Sequence, residues 1–330
     1  MCPMKYLIKA TTILLLLALT LFLVSCNPLD LLALAQQVPL LNGITWSGHR
    51  LVLDPADMPP SCDNWVLAPT VIRDGDTYKM WFAGRDPVFI SRVHYTESTD
   101  GLNWNPPVVV IDAGAEGTYD TAGSADPSVL KEDGNYKMWY VGWDGANRSI
   151  IYAQSTDGRT WTDHSLALKF GSQGEHDAQD ARAPMVIKDG NLYRMWYNGY
   201  DGATAGRIIY AESADGIIWT NVQLVIDLGA EGYYDTTWTS NPAVIKDNLL
   251  YKMWYQGSNA DGRRILYAES SDGITWTDFQ LAVDINNVPG KDTNRVTSPS
   301  VISDLGVGKM WYAGWDAGDT TWRIFYAESQ

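Results

Sequence analysis

Four acidic side chains stand out in this sequence because they do not recur at matching positions of its internal repeats. They are Asp63, Asp126, Glu175 and Asp180. Two carboxyl groups that flank a glycosidic bond can hydrolyse it, one as an acid and the other as a base or nucleophile. One of the two must be kept protonated by its surroundings. These four residues are therefore the candidate catalytic set.

A second set of unrepeated residues suits the binding of a ligand. Flat aromatic rings can stack on the apolar faces of sugar rings while neighbouring polar groups bind the hydroxyls. The same tryptophans could instead cover the edges of packed sheets, and that alternative stays open. The candidate substrate-binding residues are Trp65, Trp143, Arg182, Trp238, Asn241, Arg295 and Trp315.

The sequence lacks the patterns of several other chemistries. It has no zinc-ligand spacing, no phosphate-binding glycine loop and no nucleophile elbow. Its Asp- and Asn-containing loops are too short for an EF-hand. We therefore predict no metal ligand and no cofactor, and nothing in the sequence indicates a structural cation.

Charge and composition limit the classes of partner that the protein can bind. The 330 residues include 24 Lys and Arg against 39 Asp and Glu, a formal net charge of −15. Such an acidic protein has no electrostatic reason to bind nucleic acid or anionic lipid heads. With 45% hydrophobic and 19% charged residues the chain is globular. We expect a monomer whose partner is a carbohydrate.

Most of the chain is one repeat, present five times. The string at 68–82, APTVIRDGDTYKMWF, returns at 126–140, 183–197, 241–255 and, more loosely, 298–312. A hairpin pattern S-x-D-G-x-x-W follows each of the first four copies. Ten of the 15 tryptophans occupy repeat positions and are predicted to pack between repeats. The repeat prolines are Pro69, Pro127, Pro184, Pro242 and Pro299.

Each repeat predicts four short strands separated by turns rich in Asp, Gly and Asn. Four antiparallel strands per repeat, arrayed radially, predict an all-β, five-bladed β-propeller. The fifth copy lacks its fourth strand, and residues 42–54 match residues 272–284. We therefore expect the N-terminal strand to complete the last blade and close the ring, which removes an open sheet edge.

The predicted topology brings the unrepeated residues to one place. The first strand of each blade lines the central channel, so Asp126, Asp180, Arg182 and Arg295 should point into or rim one cavity. The unrepeated tryptophans fall in the loops at one end of the blades. We expect a polar mouth with aromatic walls at that end of the channel.

Two of these sequence patterns resemble those of a known group of β-propeller enzymes. Asp126-Pro127 opening an inner strand, together with the S-x-D-G-x-x-W hairpins, is similar to the arabinanase, β-xylosidase, invertase and levansucrase propellers. These are glycoside hydrolase families 43, 32 and 68, and the resemblance covers the whole propeller. It implies an acidic residue at the start of the inner strand in each of the first three blades.

The resemblance implies a role for each acid. The second family position, which stabilises the transition state or tunes a pKa, falls on Asp126. The first, the base or nucleophile, falls on Ala68, with Asp63 five residues earlier. The third, the general acid, falls at residues 182–183, with Asp180 and Glu175 nearby.

The N-terminus has the features of an export signal. Lys5 and Lys9 precede an apolar run over residues 11–24, too short for a comfortable transmembrane helix but typical of a signal peptide. The run ends in Leu-Val-Ser-Cys, which resembles a lipobox with Cys26 as the lipidated residue. The alternative is ordinary cleavage after Ala35, which would give a secreted protein.

We therefore predict a signal peptide over 1–25, a tether over 26–41 and the propeller over 42–330. The location is the cell envelope or cell surface, through a lipid anchor in the membrane. Three functions stay open: a glycosidase acting on poly- or oligosaccharide, a non-catalytic glycan-binding lipoprotein, and a protein-interaction scaffold.

Overall fold

The computed structural model describes residues 43–329, apart from 116–117, 172–175 and 204. Their regular structure is twenty β-strands and one short 3-10 helix, Pro55–Asp57. Within these residues no helix is long and apolar enough to cross a membrane. The prediction of an all-β fold is confirmed. The predicted signal peptide and tether, with Cys26, and the candidate acid Glu175 lie outside the described residues.

The strands follow one another along the chain with short connections. They are β1 Trp46–Leu53, β2 Trp65–Asp74, β3 Thr77–Arg85, β4 Ser91–Ser98, β5 Val108–Ile111, β6 Gly123–Glu132, β7 Asn135–Trp143, β8 Arg148–Ser155, β9 Thr162–Leu168, β10 Asp180–Asp189, β11 Leu192–Tyr200, β12 Gly206–Ser213, β13 Thr220–Ile226, β14 Trp238–Asp247, β15 Leu250–Asn259, β16 Gly262–Ser270, β17 Thr277–Val283, β18 Arg295–Asp304, β19 Val307–Trp315 and β20 Trp322–Ser329.

Antiparallel pairing divides the strands into five groups of four. The first four groups are β2–β5, β6–β9, β10–β13 and β14–β17, each paired in chain order. The fifth group is β18, β19, β20 and β1, because β1 pairs with β20 from the other end of the chain. Single parallel contacts join four of the groups into two eight-stranded sheets and leave β2–β5 as a four-stranded sheet.

One buried tryptophan in the second strand of each group ties that group to the next. Its indole N–H donates to the backbone carbonyl of a glycine in the neighbouring group's turn, at 2.6–2.9 Å. The fifth bond runs from the last group back to the first. The five bonds are Trp81 to Gly158, Trp139 to Gly216, Trp196 to Gly273, Trp254 to Gly43 and Trp311 to Gly101.

A second tryptophan packs edge-on against each of these indoles. The ring centroids are 5.9–6.4 Å apart in a T-shaped arrangement, which aromatic quadrupoles favour. All ten tryptophans at repeat positions therefore contribute to the packing between groups. The pairs are Trp46 with Trp254, Trp81 with Trp161, Trp104 with Trp311, Trp139 with Trp219 and Trp196 with Trp276.

The turn glycines must lack a side chain because the indole lies against them. Gly216 has φ +81°, and a Cβ there would lie 2.9 Å from the ring of Trp139. Gly134 has nearly the same backbone, φ +83°, but nothing lies within 4 Å of its Cβ position. The two glycines separate the effect of the left-handed backbone from that of the tryptophan contact.

We expect Gly216→Ala to destabilise the fold more than Gly134→Ala. Both variants force a left-handed alanine, at about 1–2 kcal/mol. Gly216→Ala adds overpacking against Trp139, about 1–3 kcal/mol more. Urea unfolding of both variants and the parent measures the difference. Equal losses in the two variants would mean that the indole contact does not constrain the turn.

Candidate functional site

The first strand of every group is bulged at the residue before its proline. The antiparallel register of β2, β6, β10, β14 and β18 shifts there. The residue has a positive φ of 46–51°, although a residue that precedes proline normally prefers an extended backbone. All five bulged residues line one opening of about 40 Å³ where the first strands converge. They are Ala68, Asp126, Ala183, Asn241 and Ser298.

A larger cavity of about 520 Å³ shares several of these residues. We call it the arginine cavity, because four arginines line it: Arg85, Arg182, Arg263 and Arg295. Its volume lies in the range of small-molecule binding sites. Asn198, Ser240, Gln256 and Thr297 add polar groups to its wall.

Six of the residues predicted from the sequence line this cavity. Of the described residues in its wall, only Asp126 carries a carboxyl group. Both aromatic and polar candidates are present. The six are Asp126, Trp65, Arg182, Trp238, Asn241 and Arg295.

The other candidates lie outside the cavity wall. Asp180 is fully buried and paired with arginines, so it cannot touch a substrate. Asp63 is exposed and does not line the cavity. Trp143 and Trp315 do not line the cavity. The guanidinium of Arg148 lies 5.1 Å from the ring centroid of Trp143, and that of Arg295 lies 4.5 Å from that of Trp315.

Sequence reasoning missed several wall residues. Arg85, Asn198, Gln256 and Arg263 line the cavity but were not among the candidates. Trp322 is one of the five unrepeated tryptophans expected at the channel mouth, and it lines the cavity although it was not among the candidate binding residues. These residues stand in second and third strands, at positions that differ from repeat to repeat. Comparing those strands across the five copies would have found them.

Two opposing effects act on the carboxyl group of Asp126. Burial raises the pKa of its carboxyl group, and the charges of Arg148 and Arg182 oppose that rise. Both arginines already pair with Asp180: Arg182 directly, and Arg148 at 3.4 Å. Asp180 thus compensates part of the positive charge that faces Asp126, and the net shift of the Asp126 pKa is upward because burial outweighs the two arginines.

Two pairs at equivalent repeat positions differ in charge. Arg148 and Arg263 each stand at the beginning of a third strand, in its first or second position, four residues before its tyrosine. Across the single parallel contact, Arg148 meets Asp180, whereas Arg263 meets Arg295. The first pair is compensated and the second joins two like charges.

No described carboxylate pairs with Arg263 or Arg295. The side chain of Arg295 donates instead to the amide oxygen of Asn294, at 3.3 Å. Burial, and after it the charge of Arg295, lowers the pKa of Arg263 to about 10. Trp322 lies beside the guanidinium of Arg263 at 5.9 Å. Guanidinium groups without a carboxylate partner can bind an oxyanion through charged hydrogen bonds.

A metal ion is not needed to explain this arrangement. Among the described residues no group of three or more His, Cys, Asp or Glu side chains could hold one. The cavity instead combines one carboxyl group, three tryptophan rings beside polar groups, and an uncompensated arginine pair. Such a site can bind a sugar together with an anion and can donate one proton.

Comparison with known proteins agrees with the fold. The family model for β-1,4-mannooligosaccharide phosphorylases, glycoside hydrolase family 130, matches residues 80–241. Two uncharacterized proteins from strains of Mycobacterium tuberculosis are each 28% identical over 273 residues, which is 78% of this chain and 90% of theirs.

Solved structures extend the comparison over most of the chain. A glycosyl hydrolase from Bacteroides ovatus aligns with a TM-score of 0.68 at 17% identity, covering 87% of this chain and 93% of that one. A β-1,2-mannobiose phosphorylase from Listeria innocua aligns at 0.66 and 11% identity, covering 86% and 97%. A thermostable family-43 glycoside hydrolase aligns at 0.65 and 16%, covering 79% and 88%.

The chain therefore has the fold of the β-propeller glycoside hydrolases. The resemblance seen in the sequence is confirmed at that level. At the level of the family, the model that matches is that of family 130, and the more specific expectation of families 43, 32 or 68 is not confirmed.

We expect Asp126→Asn to stabilise the protein at neutral pH. A raised folded-state pKa means that the ionised carboxyl opposes folding above its unfolded pKa of about 3.9. Below both pKa values the penalty is absent, so the advantage of the variant should vanish near a pH of about 3. Asparagine tolerates the left-handed backbone at this position. Urea unfolding at neutral and acidic pH tests this, and a variant less stable than the parent at neutral pH would contradict it.

Proposed function

We propose that this protein cleaves β-mannosidic bonds in oligosaccharides by phosphorolysis. Asp126 is the general acid, and Arg263 with Arg295 holds the inorganic phosphate that attacks the sugar. The observation that carries the proposal is the combination of one carboxyl group with an uncompensated arginine pair in a single cavity.

The number of carboxyl groups argues for phosphate as the nucleophile. A hydrolase needs a second carboxyl to act as nucleophile or to activate water. Phosphate is itself an anionic nucleophile and needs only to be bound and oriented. Asp126 stands in the second strand group, whereas the arginine pair joins the fourth and fifth. Acid and nucleophile would then approach the sugar from different walls of the cavity, as an inverting reaction requires.

The proposed step is balanced in atoms and charge. A phosphate oxygen forms a bond to the anomeric carbon while the bond from that carbon to the leaving oxygen breaks. Asp126 gives its proton to the leaving oxygen, and the proton of the hydrogen phosphate restores Asp126. The products are a mannose 1-phosphate and an oligosaccharide shortened by one unit.

Mannose is proposed as the sugar from the comparisons. The matching family model is described by its action on mannooligosaccharides, and a structural relative is named a mannobiose phosphorylase. Trp65 and Trp238 in the cavity wall would stack on the sugar faces. Asn241 and Gln256 would bind hydroxyls.

The scaffold proposed for this site is a closed five-bladed propeller, with the cavity at one mouth of its channel. Five antiparallel strand groups support the blade count. The five tryptophan bonds, the last of which returns to the first group, support closure. In this scaffold each blade contributes its bulged first strand to the channel wall.

The competing function is non-catalytic binding of a glycan. The absence of a second carboxyl among the described wall residues favours it, because a binding site needs none. The two functions differ in one outcome: only the enzyme releases a product.

The test is release of mannose 1-phosphate from β-mannooligosaccharides in the presence of inorganic phosphate. We expect activity that requires phosphate and that Asp126→Asn abolishes. Free mannose released without phosphate would contradict phosphorolysis and indicate a hydrolase. Glycan binding with no product under either condition would indicate a non-catalytic protein.

Arg295→Asp gives a sharper test, because it copies the compensated pair that Arg148 makes with Asp180. Loss of the charged hydrogen bonds to phosphate should raise the KM for phosphate by about tenfold to hundredfold. Arg159→Gln is the matched control, since Arg159 is exposed and pairs with Glu97 away from the cavity. An unchanged KM in Arg295→Asp would remove the arginine pair from the phosphate site.

We also propose export and lipid anchoring, supported by the positive residues, the apolar run and the lipobox-like Leu-Val-Ser-Cys sequence. Cys26→Ala should abolish incorporation of labelled palmitate and move the protein from the membrane to the soluble fraction. Cys62→Ala serves as the control. Palmitate labelling that persists in Cys26→Ala would contradict the anchor.

A further inference from the structure

An exposed phenylalanine stands beside the arginine cavity in the loop between β3 and β4. Phe89 is 61% exposed and has φ +71°, a left-handed backbone that a bulky side chain rarely adopts. Its amide donates to the carbonyl of Asp86 at 3.0 Å, and the next amide, of Ile90, donates to the Asp86 carboxylate at 2.9 Å. Arg92 pairs with the same carboxylate at 2.6 Å. The loop thus holds the exposed ring in a defined place.

Arg85 connects this ring to the cavity. Its guanidinium lies 4.8 Å from the ring centroid of Phe89 and 5.4 Å from that of Trp65. Its Nε donates to the carbonyl of Phe89 at 3.1 Å. Arg85 and Trp65 both line the cavity, so the three side chains form a continuous surface from its wall outward.

The equivalent loops of the other groups carry no such ring. Between their second and third strands stand only small and polar residues, at 144–147, 201–205, 260–261 and 316–321. The repeat therefore does not require an aromatic residue here. Nor does packing explain it, because more than half of the ring is exposed.

We propose that Phe89, Arg85 and Trp65 form an outer subsite for the oligosaccharide. This rests on the function proposed for the cavity. The cavity of about 520 Å³ must already hold the phosphate and the reacting sugar. The further sugar units of a longer oligosaccharide therefore have to lie outside it, at its rim. Phe89 offers a face on which a further neutral pyranose stacks, and Arg85 offers donors to its hydroxyls. The protein would then favour chains longer than a disaccharide.

The experiment is calorimetric titration of the full protein with β-mannooligosaccharides of increasing length from the disaccharide upward, without phosphate. We expect the parent to bind chains longer than the disaccharide about threefold to tenfold more tightly than the disaccharide, because one added stacking contact gives a gain of that size. Phe89→Ala should lose this gain and bind the disaccharide as the parent does. Phe89→Tyr should keep the gain.

Leu305→Ala is the matched control. Leu305 is also a bulky apolar residue, 93% exposed, with a left-handed backbone at φ +54°. It lies in the hairpin between β18 and β19, and the cavity-lining residues of β18, Arg295, Thr297 and Ser298, stand near the opposite end of that strand. The Leu305→Ala variant should bind oligosaccharides of every length with the affinity of the parent.

The outcomes separate the subsite from the proposed function. A length-dependent gain that survives in Phe89→Ala, or is lost equally in Leu305→Ala, would overturn the subsite alone. Affinity that is independent of length in the parent would overturn it as well. Failure of the parent to bind any of these glycans would overturn the mannoside assignment, and the subsite with it.

Discussion

The bond from a buried indole to the turn of the next strand group is the constraint on which the rest of this fold depends. Each N–H would be unsatisfied in the core without its carbonyl partner, and a buried unpaired donor is costly. Because Trp139 meets Gly216 and the other four tryptophans do the same, every group is set at a similar position relative to its neighbour. Repeating that step five times brings all the first strands to one opening, and the site lies there.

On a scaffold built from repeats, the candidate functional residues are those that differ from one repeat to the next. The bulge before each proline is common to all five groups and presents one side chain to the same opening. Four of the groups fill that position with Ala, Asn or Ser, and only the second supplies an acid, Asp126. The contact between Arg148 and Asp180 is likewise altered to Arg263 and Arg295 one sheet away. A single charge reversal at an equivalent position replaces a structural ion pair by two facing arginines, which are the residues proposed to bind phosphate.

The sequence predicted the strands, the repeat and the residues before the prolines, because these follow from periodicity and turn chemistry. It predicted less of the site, for physical reasons. A proline argues for an extended residue before it, so nothing local indicates the left-handed backbone at Asp126. Arg263 was missed because its neighbour Arg295 is brought near only by the packing of two groups. Asp180 was placed among the acids because its pairing with Arg182, two residues along, was not visible from sequence spacing.

The most direct test of the account is a crystal structure of the protein soaked with inorganic phosphate and mannose. We predict phosphate density between the guanidinium groups of Arg263 and Arg295, with the sugar between that phosphate and the carboxyl of Asp126. Phosphate bound only at Arg148 and Arg182, or a sugar with its anomeric carbon remote from Asp126, would contradict the assignment of acid and nucleophile to these residues.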